Sequence, residues 1–327
     1  MKLPIAIREK SPKFGPVLRY RADIRTLVNV ALYFTVAVIP WLRWEKMGTP
    51  EIVFWVVVNC LMSFICAVIV HNTIHVPIFK RRWMNKVFQI ILGFCYGHST
   101  SAYVPGHNFS HHKHTQTPKD AIRTSKARFR INIFNQLFFF FLMSGDILKG
   151  ELKFAAKMRK ERPEWFRQYF LEMALVIGSK IVLVILNWKC AILFVLIPHQ
   201  YAAWGIVGTN YFQHDGCDEE HPYNHSRNFS SPFLNWLLFN NGYHGAHHMK
   251  PNLHWSLLPQ YHAEKLRPFI HPSLDRVSLV AYLIEAHIYP AKRVDYLGNP
   301  LVLGPPTEEQ DWVETTDVKE HETDMAA

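Results

Sequence analysis

The chain has 327 residues, 36 of them Lys or Arg against 26 Asp or Glu, for a formal net charge of +10. Charged residues are 19% of the total and hydrophobic ones 49%, but the apolar residues come in long blocks, which excludes an ordinary soluble domain. Basic residues gather in 1–25 and 80–167, as in segments kept on the cytoplasmic side of a membrane, so the charge reads as membrane orientation and not as nucleic-acid binding.

Residues 1–25 form a basic segment without the apolar core of a cleavable signal peptide. A first membrane span is expected at about 27–43, a turn at 44–51 where Gly48 and Pro50 break the helical pattern, and a second, charge-free span at 52–70. The apolar block 169–208 is broken only by Glu172, Lys180 and Lys189. Its roughly 40 residues exceed one crossing, so it reads as spans at 169–186 and 190–208 turning through Asn187, Trp188 and Lys189. Two shorter runs, 87–96 and 137–143, are flanked by charge and are expected to lie at the interface or against the bundle. The fold class is therefore all-α integral membrane. Four transmembrane helices in two hairpins would carry a cytosolic helical cap, with both termini on the cytoplasmic side. Residues 26–303 make up the membrane domain, and the acidic stretch 304–327 reads as a disordered tail. The five cysteines show no paired spacing and read as small core residues.

Nineteen histidines are unusual, and their placement says more than their number. One group, His71 and His75, follows the second span. A second is His107, His111 and His112, and a third is His244, His247 and His248. Side chains three or four apart on a helix share a face, so each group can aim imidazoles at one point. With two spans before His71 and two more between His112 and His244, all three groups emerge on one side. Neutral imidazole suits iron, zinc and copper, and eight of them exceed the needs of one tetrahedral zinc. Two metals with four or five ligands each would use them. Isolated histidines (His98, His199, His225, His262, His271, His287 and His321) read as structural, while His114, His221 and His254 lie near the groups.

In these groups and their surroundings the chain resembles the membrane fatty acid desaturase and hydroxylase superfamily. The three boxes match in order and context, with GHNFSHHKHTQTPKD around the second and NNGYHGAHHMKPNLHWSLLP around the third, over roughly residues 25 to 270. The resemblance implies two iron ions ligated by the eight box histidines. It also implies a ninth ligand after the fourth span, His214, four residues beyond an asparagine, Asn210, that reaches one metal through water. Box one has three intervening residues, as in the acyl-lipid branch. Box two has three before its doublet where many desaturases have two, and this departure falls on His107. A fused cytochrome b5 domain is not expected, because His271-Pro272-Ser273 does not replace its His-Pro-Gly-Gly signature.

The resemblance further implies an enzyme that uses molecular oxygen to desaturate a fatty acyl chain of a membrane lipid or related acyl substrate. A separate electron donor of ferredoxin, rubredoxin or cytochrome b5 type, with its reductase, would feed it. Hydroxylation of an acyl chain, alkane or related lipid is the alternative within the superfamily. A non-enzymatic metal-binding protein or transporter is disfavoured, since a permeation path needs polar groups inside the spans and here the histidines sit at their ends. Asp120 and Asp215 are candidates to orient imidazoles, and Lys113, Lys119 and Arg123 to meet lipid headgroups.

Overall fold

A computed structural model describes residues 15–316. These are mostly helical, with one short parallel pairing of β1 (Asn228–Phe229) and β2 (Asp275–Arg276). Three stretches are long and apolar enough to cross a membrane: Asp23–Lys46, Thr49–His75 and the 52-residue Pro163–His214.

The first stretch holds α1 (Asp23–Arg43), which ends in a 3₁₀ turn at Trp44–Lys46. Pro50 stands in the first turn of α2 (Thr49–His75), where its missing N–H leaves no helix bond unmade. The opening turns of α2 expose Val53, Phe54, Val57 and Leu61, while nearly every residue from Met62 to His75 is buried. That gradient carries the first histidine box into the interior. The short run 87–96 belongs to α3 (Arg82–Tyr96), which packs on α2 and ends at Gly97. Gly97 has φ of +85° and lies against the His199 ring, so both its backbone and its lack of a side chain are required. Then come α4 (Thr100–Val104), a π-helical turn at Pro105–His111 and α5 (His112–His114).

The run 137–143 proves to lie in the first half of a 30-residue helix, α6 (Asn132–Glu161), which does not qualify as a span. Phe134, Leu137, Phe138, Phe141 and Leu142 face outward from it, and Phe139, Met143 and Phe154 inward. The third apolar stretch comprises α7 (Pro163–Ala191), a π-helical turn at Ile192–Leu196 and α8 (Ile197–His214). It is broken at Asn187, whose φ of −160° and ψ of 97° are extended. Near the start of α7, Gln168 donates to the Lys86 carbonyl at 3.0 Å. Phe194, past the break, packs edge-on against Trp44 at 6.1 Å, and the end of α8 returns to the histidines. The chain thus doubles back at Asn187.

Short helices α9 (Pro232–Leu237), α10 (His244–Met249), α11 (Leu258–Tyr261) and α12 (Leu279–His287) build the cap with the β1–β2 pair. Residues 304–316, expected to be disordered, instead run along the 118–128 segment and then onto α6. Trp312 and Val313 are buried, and Trp312 lies over Gly150 and stacks near Phe154. Glu309 pairs with Arg123 and Lys126, and Asp311 with Lys153. An acidic segment reads as disordered only while its basic counterpart, far upstream in sequence, is out of view; here the two meet. Residues 1–14 and 317–327, with the remaining parts of the expected terminal segments, lie outside the described residues. All five cysteines are free.

Candidate metal centre

Nine of the expected histidines converge at the inner ends of α2 and α8, where the π-helical turn and α10 meet them. They do not assemble box by box. One group is His71, His75, His107, His112 and His247; the other is His111, His214, His244 and His248. Within each, one ring nitrogen per residue lies within 4.8 Å of all the others. Boxes two and three each divide their histidines between the groups, so each doublet spans both.

The π-helical turn explains the extra residue in box two. The His112 N–H bonds to the His107 carbonyl five residues back. That winding brings residues 107 and 112 together, where an α-helix would set them about 140° apart. Their Nε2 atoms stand 3.1 Å apart, so the departure from the common spacing leaves His107 inside a group.

Hydrogen bonds on the outer side fix which nitrogen faces inward. His111 Nδ1 donates to the Asp120 carboxylate at 2.9 Å, and His214 Nδ1 donates to the His225 carbonyl at 3.1 Å. With Nδ1 donating, the neutral form of each ring keeps its lone pair on Nε2. Those lone pairs point at His248 Nε2 (3.2 Å) and His244 Nε2 (2.8 Å). His112 Nε2 similarly meets Nε2 of both His107 and His247. Neither nitrogen of His75 has a hydrogen-bond partner. Burial pushes His107, His112, His244, His247 and His248 well below the ordinary histidine range, so they are neutral. Converging, buried, unprotonated nitrogens are what a transition-metal cation requires and what an apolar core avoids.

Asp120 holds His111 as expected, and is itself held by the backbone N–H groups of Gln116 and Ile122 at 2.8 and 2.9 Å. Asp215 does not orient a histidine. It is paired with Arg293, whose Nε donates to Oδ2 at 2.9 Å, because the cap brings a cation to it that the sequence holds 78 residues away. Arg123 is buried against Glu309 and the Thr307 carbonyl, and Lys119 reaches Thr315, so the C-terminal segment occupies these cations. Asn210 lies on α8 one turn before His214. Its amide donates to the Ile122 carbonyl at 3.0 Å, and it lines the neighbouring cavity.

Of the undecided histidines, His254 bonds Asp23 at 3.1 Å and stacks on Tyr20, tying the cap to α1. His221 accepts from two backbone N–H groups. His114 lies outside both groups, as does His199, which bonds the Tyr33 hydroxyl at 3.0 Å. His225 contributes through its backbone carbonyl, a role that leaves no mark in a sequence.

A cavity of about 360 Å³ opens beside His71, His107 and His244. Its walls are mainly apolar, among them Phe140, Ile147, Leu148, Met173, Ile206 and Val207. Paired histidine groups next to a mainly apolar cavity, on helices long enough to cross a membrane, define a candidate membrane metal centre. The fatty acid desaturase family model matches residues 52–278, more than half of the chain and all three boxes, and the chain belongs to that family. No curated protein matches it. Membership makes it a membrane-bound oxidoreductase acting on acyl lipid.

Proposed function

We propose that the chain desaturates a fatty acyl chain, using molecular oxygen at two iron ions held by the nine histidines. The observation that carries this reading is the pairing of two all-histidine groups, sharing both doublets, with an apolar cavity at their edge. One ion would be held by His71, His75, His107, His112 and His247, the other by His111, His214, His244 and His248. Asn210 would reach the site through water from the cavity wall. Bound iron would supply the redox chemistry with oxygen that amino acids lack.

The chain's own groups do the rest. Asp120 and the His225 carbonyl keep two imidazoles turned inward, and the apolar walls exclude water and admit the alkyl chain. Oxygen takes up four electrons, two from the separate donor and two from the substrate C–H bonds, and with protons ends as water. A ferredoxin, rubredoxin or cytochrome b5 type donor with its reductase would serve. In the orientation we propose, the doubled-back third stretch crosses twice, giving four spans, with the histidines and both termini on the cytoplasmic side.

Expression in a host that makes only saturated lipids tests the reaction. Products lighter by two hydrogens, formed by protein holding about two irons per chain, are expected. Products heavier by one oxygen would make it a hydroxylase. One zinc, no iron and no oxygen-dependent NAD(P)H consumption would overturn the enzyme reading.

A further inference from the structure

The cavity is not apolar throughout. From α6 it is lined by Phe140, Ser144, Ile147, Leu148 and Glu151, the spacing of one helical face. On that face the Ser144 hydroxyl is spent on the Phe140 carbonyl at 2.6 Å, and a wall serving hydrocarbon alone would be apolar at position 151. Instead a partly buried carboxyl stands there, accepting one hydrogen bond from the Tyr169 hydroxyl at 2.8 Å. Among the described residues no Lys, Arg or His pairs with it. Tyr96 and His98 line the same space with their rings 5.0 Å apart. Neither the Tyr96 hydroxyl nor the His98 ring nitrogens make a hydrogen bond among the described residues.

These groups sit apart from the histidine groups but open onto the same space. Tyr103 stands between, with its ring 6.2 Å from Tyr96 and 5.1 Å from His107. A ligand that fills the cavity up to the metal groups has part of its length beside Glu151. Burial raises the Glu151 carboxyl above its ordinary range, which marks an acid short of solvation. A polar group in that position is relieved by a hydrogen bond from whatever fills the cavity.

We propose that Glu151, with Tyr96 and His98, forms a polar subsite that selects lipids carrying a hydrogen-bond donor, a hydroxyl or an amide N–H, in the part held by the cavity. The donor bonds Glu151, and the Tyr96 hydroxyl, on the same cavity, donates to a ligand hydroxyl or amide carbonyl oxygen. The inference rests on the reading of the cavity as the acyl-lipid site and narrows it to a substrate class.

The test uses the full chain in detergent with two saturated lipids of equal carbon count, an N-acylated long-chain amino alcohol and a plain acyl ester. Binding is read by native mass spectrometry and turnover by product mass. Wild type is expected to bind the amino alcohol about tenfold more tightly than the ester. Glu151→Leu should bring that ratio close to one, with iron content reporting an intact fold. Glu151→Gln, which keeps an acceptor, should retain most of the preference. A wild-type ratio near one, or a ratio untouched by Glu151→Leu, would overturn the subsite. If the binding preference holds and neither lipid is oxidised, the subsite stands and the desaturase reading fails. An O-acyl diol of the same length then separates the hydroxyl from the amide N–H as the recognised donor.

Discussion

The spacing of a histidine box leaves open which ring nitrogen faces a metal; a partner on the far side of the ring decides it. For His111 that partner is Asp120, fully buried with three hydrogen bonds to hold it. Replacing Asp120 by Asn keeps the shape and removes the charge that makes His111 a strong donor at Nδ1. Asp120→Asn is expected to weaken iron binding about 10- to 100-fold, read by competition with a chelator. His114→Ala, outside both groups, should leave the affinity as it was. Equal affinity for Asp120→Asn and wild type would remove Asp120 from the site. Asp120 was visible in the sequence as an acid close to a box. Asp215 carried the same signal, yet its carboxylate belongs to Arg293, because closeness along the chain does not say where a side chain points.

At the scale of elements, box two depends on a turn of π-helix and on the loop that comes after it. Ser110, fully buried on that turn, donates to the Lys119 carbonyl at 2.8 Å and accepts from the Ala121 N–H at 2.9 Å. Its hydroxyl thereby clamps the loop that carries Asp120 against the helix bearing His107, His111 and His112. Ser110→Ala leaves a buried carbonyl and a buried N–H without partners, a loss of about 1–3 kcal/mol. A lowered midpoint of thermal unfolding in detergent is expected, and an unchanged one would mean that the loop is held by other contacts. Helices α1, α2 and α8 were legible because a run of apolar residues is a local signal. The length of α6 was not, since its second half alternates charge with apolar residues and packs by contacts made far along the chain.

At the scale of the whole molecule, two arrangements are open to test. The C-terminal segment returns to α6 and seats Trp312, only 6% exposed, over Gly150 and Phe154. Trp312→Ala should cost about 3–5 kcal/mol of stability, as for a large aromatic removed from a core. If unfolding of the variant matches wild type, the segment is not part of the fold. The proposed topology is tested by single cysteines in place of exposed Lys46, Arg128 and Glu220 in a chain freed of its own cysteines. An impermeant thiol reagent should reach positions 128 and 220 from one side of the membrane and position 46 from the other. Labelling of 128 and 220 from opposite sides would contradict the convergence of the boxes on one face.

The sequence by itself determined the helical membrane class, the apolar stretches, the break near Asn187 and the identity of the nine histidines that converge. The apolar stretches, the break and the eight box histidines rest on local patterns, the length of an apolar run or the three- and four-residue repeat of a helix face, while His214 came from the family resemblance. Only the tertiary structure decided how the histidines divide. Box membership follows sequence neighbourhood, whereas group membership follows which imidazoles from five separate elements point into the same small volume. The same holds for the Glu151 wall, the His225 carbonyl and the docked C-terminal segment. Each depends on residues brought together by packing of distant parts of the chain, and no periodicity along the chain records that packing.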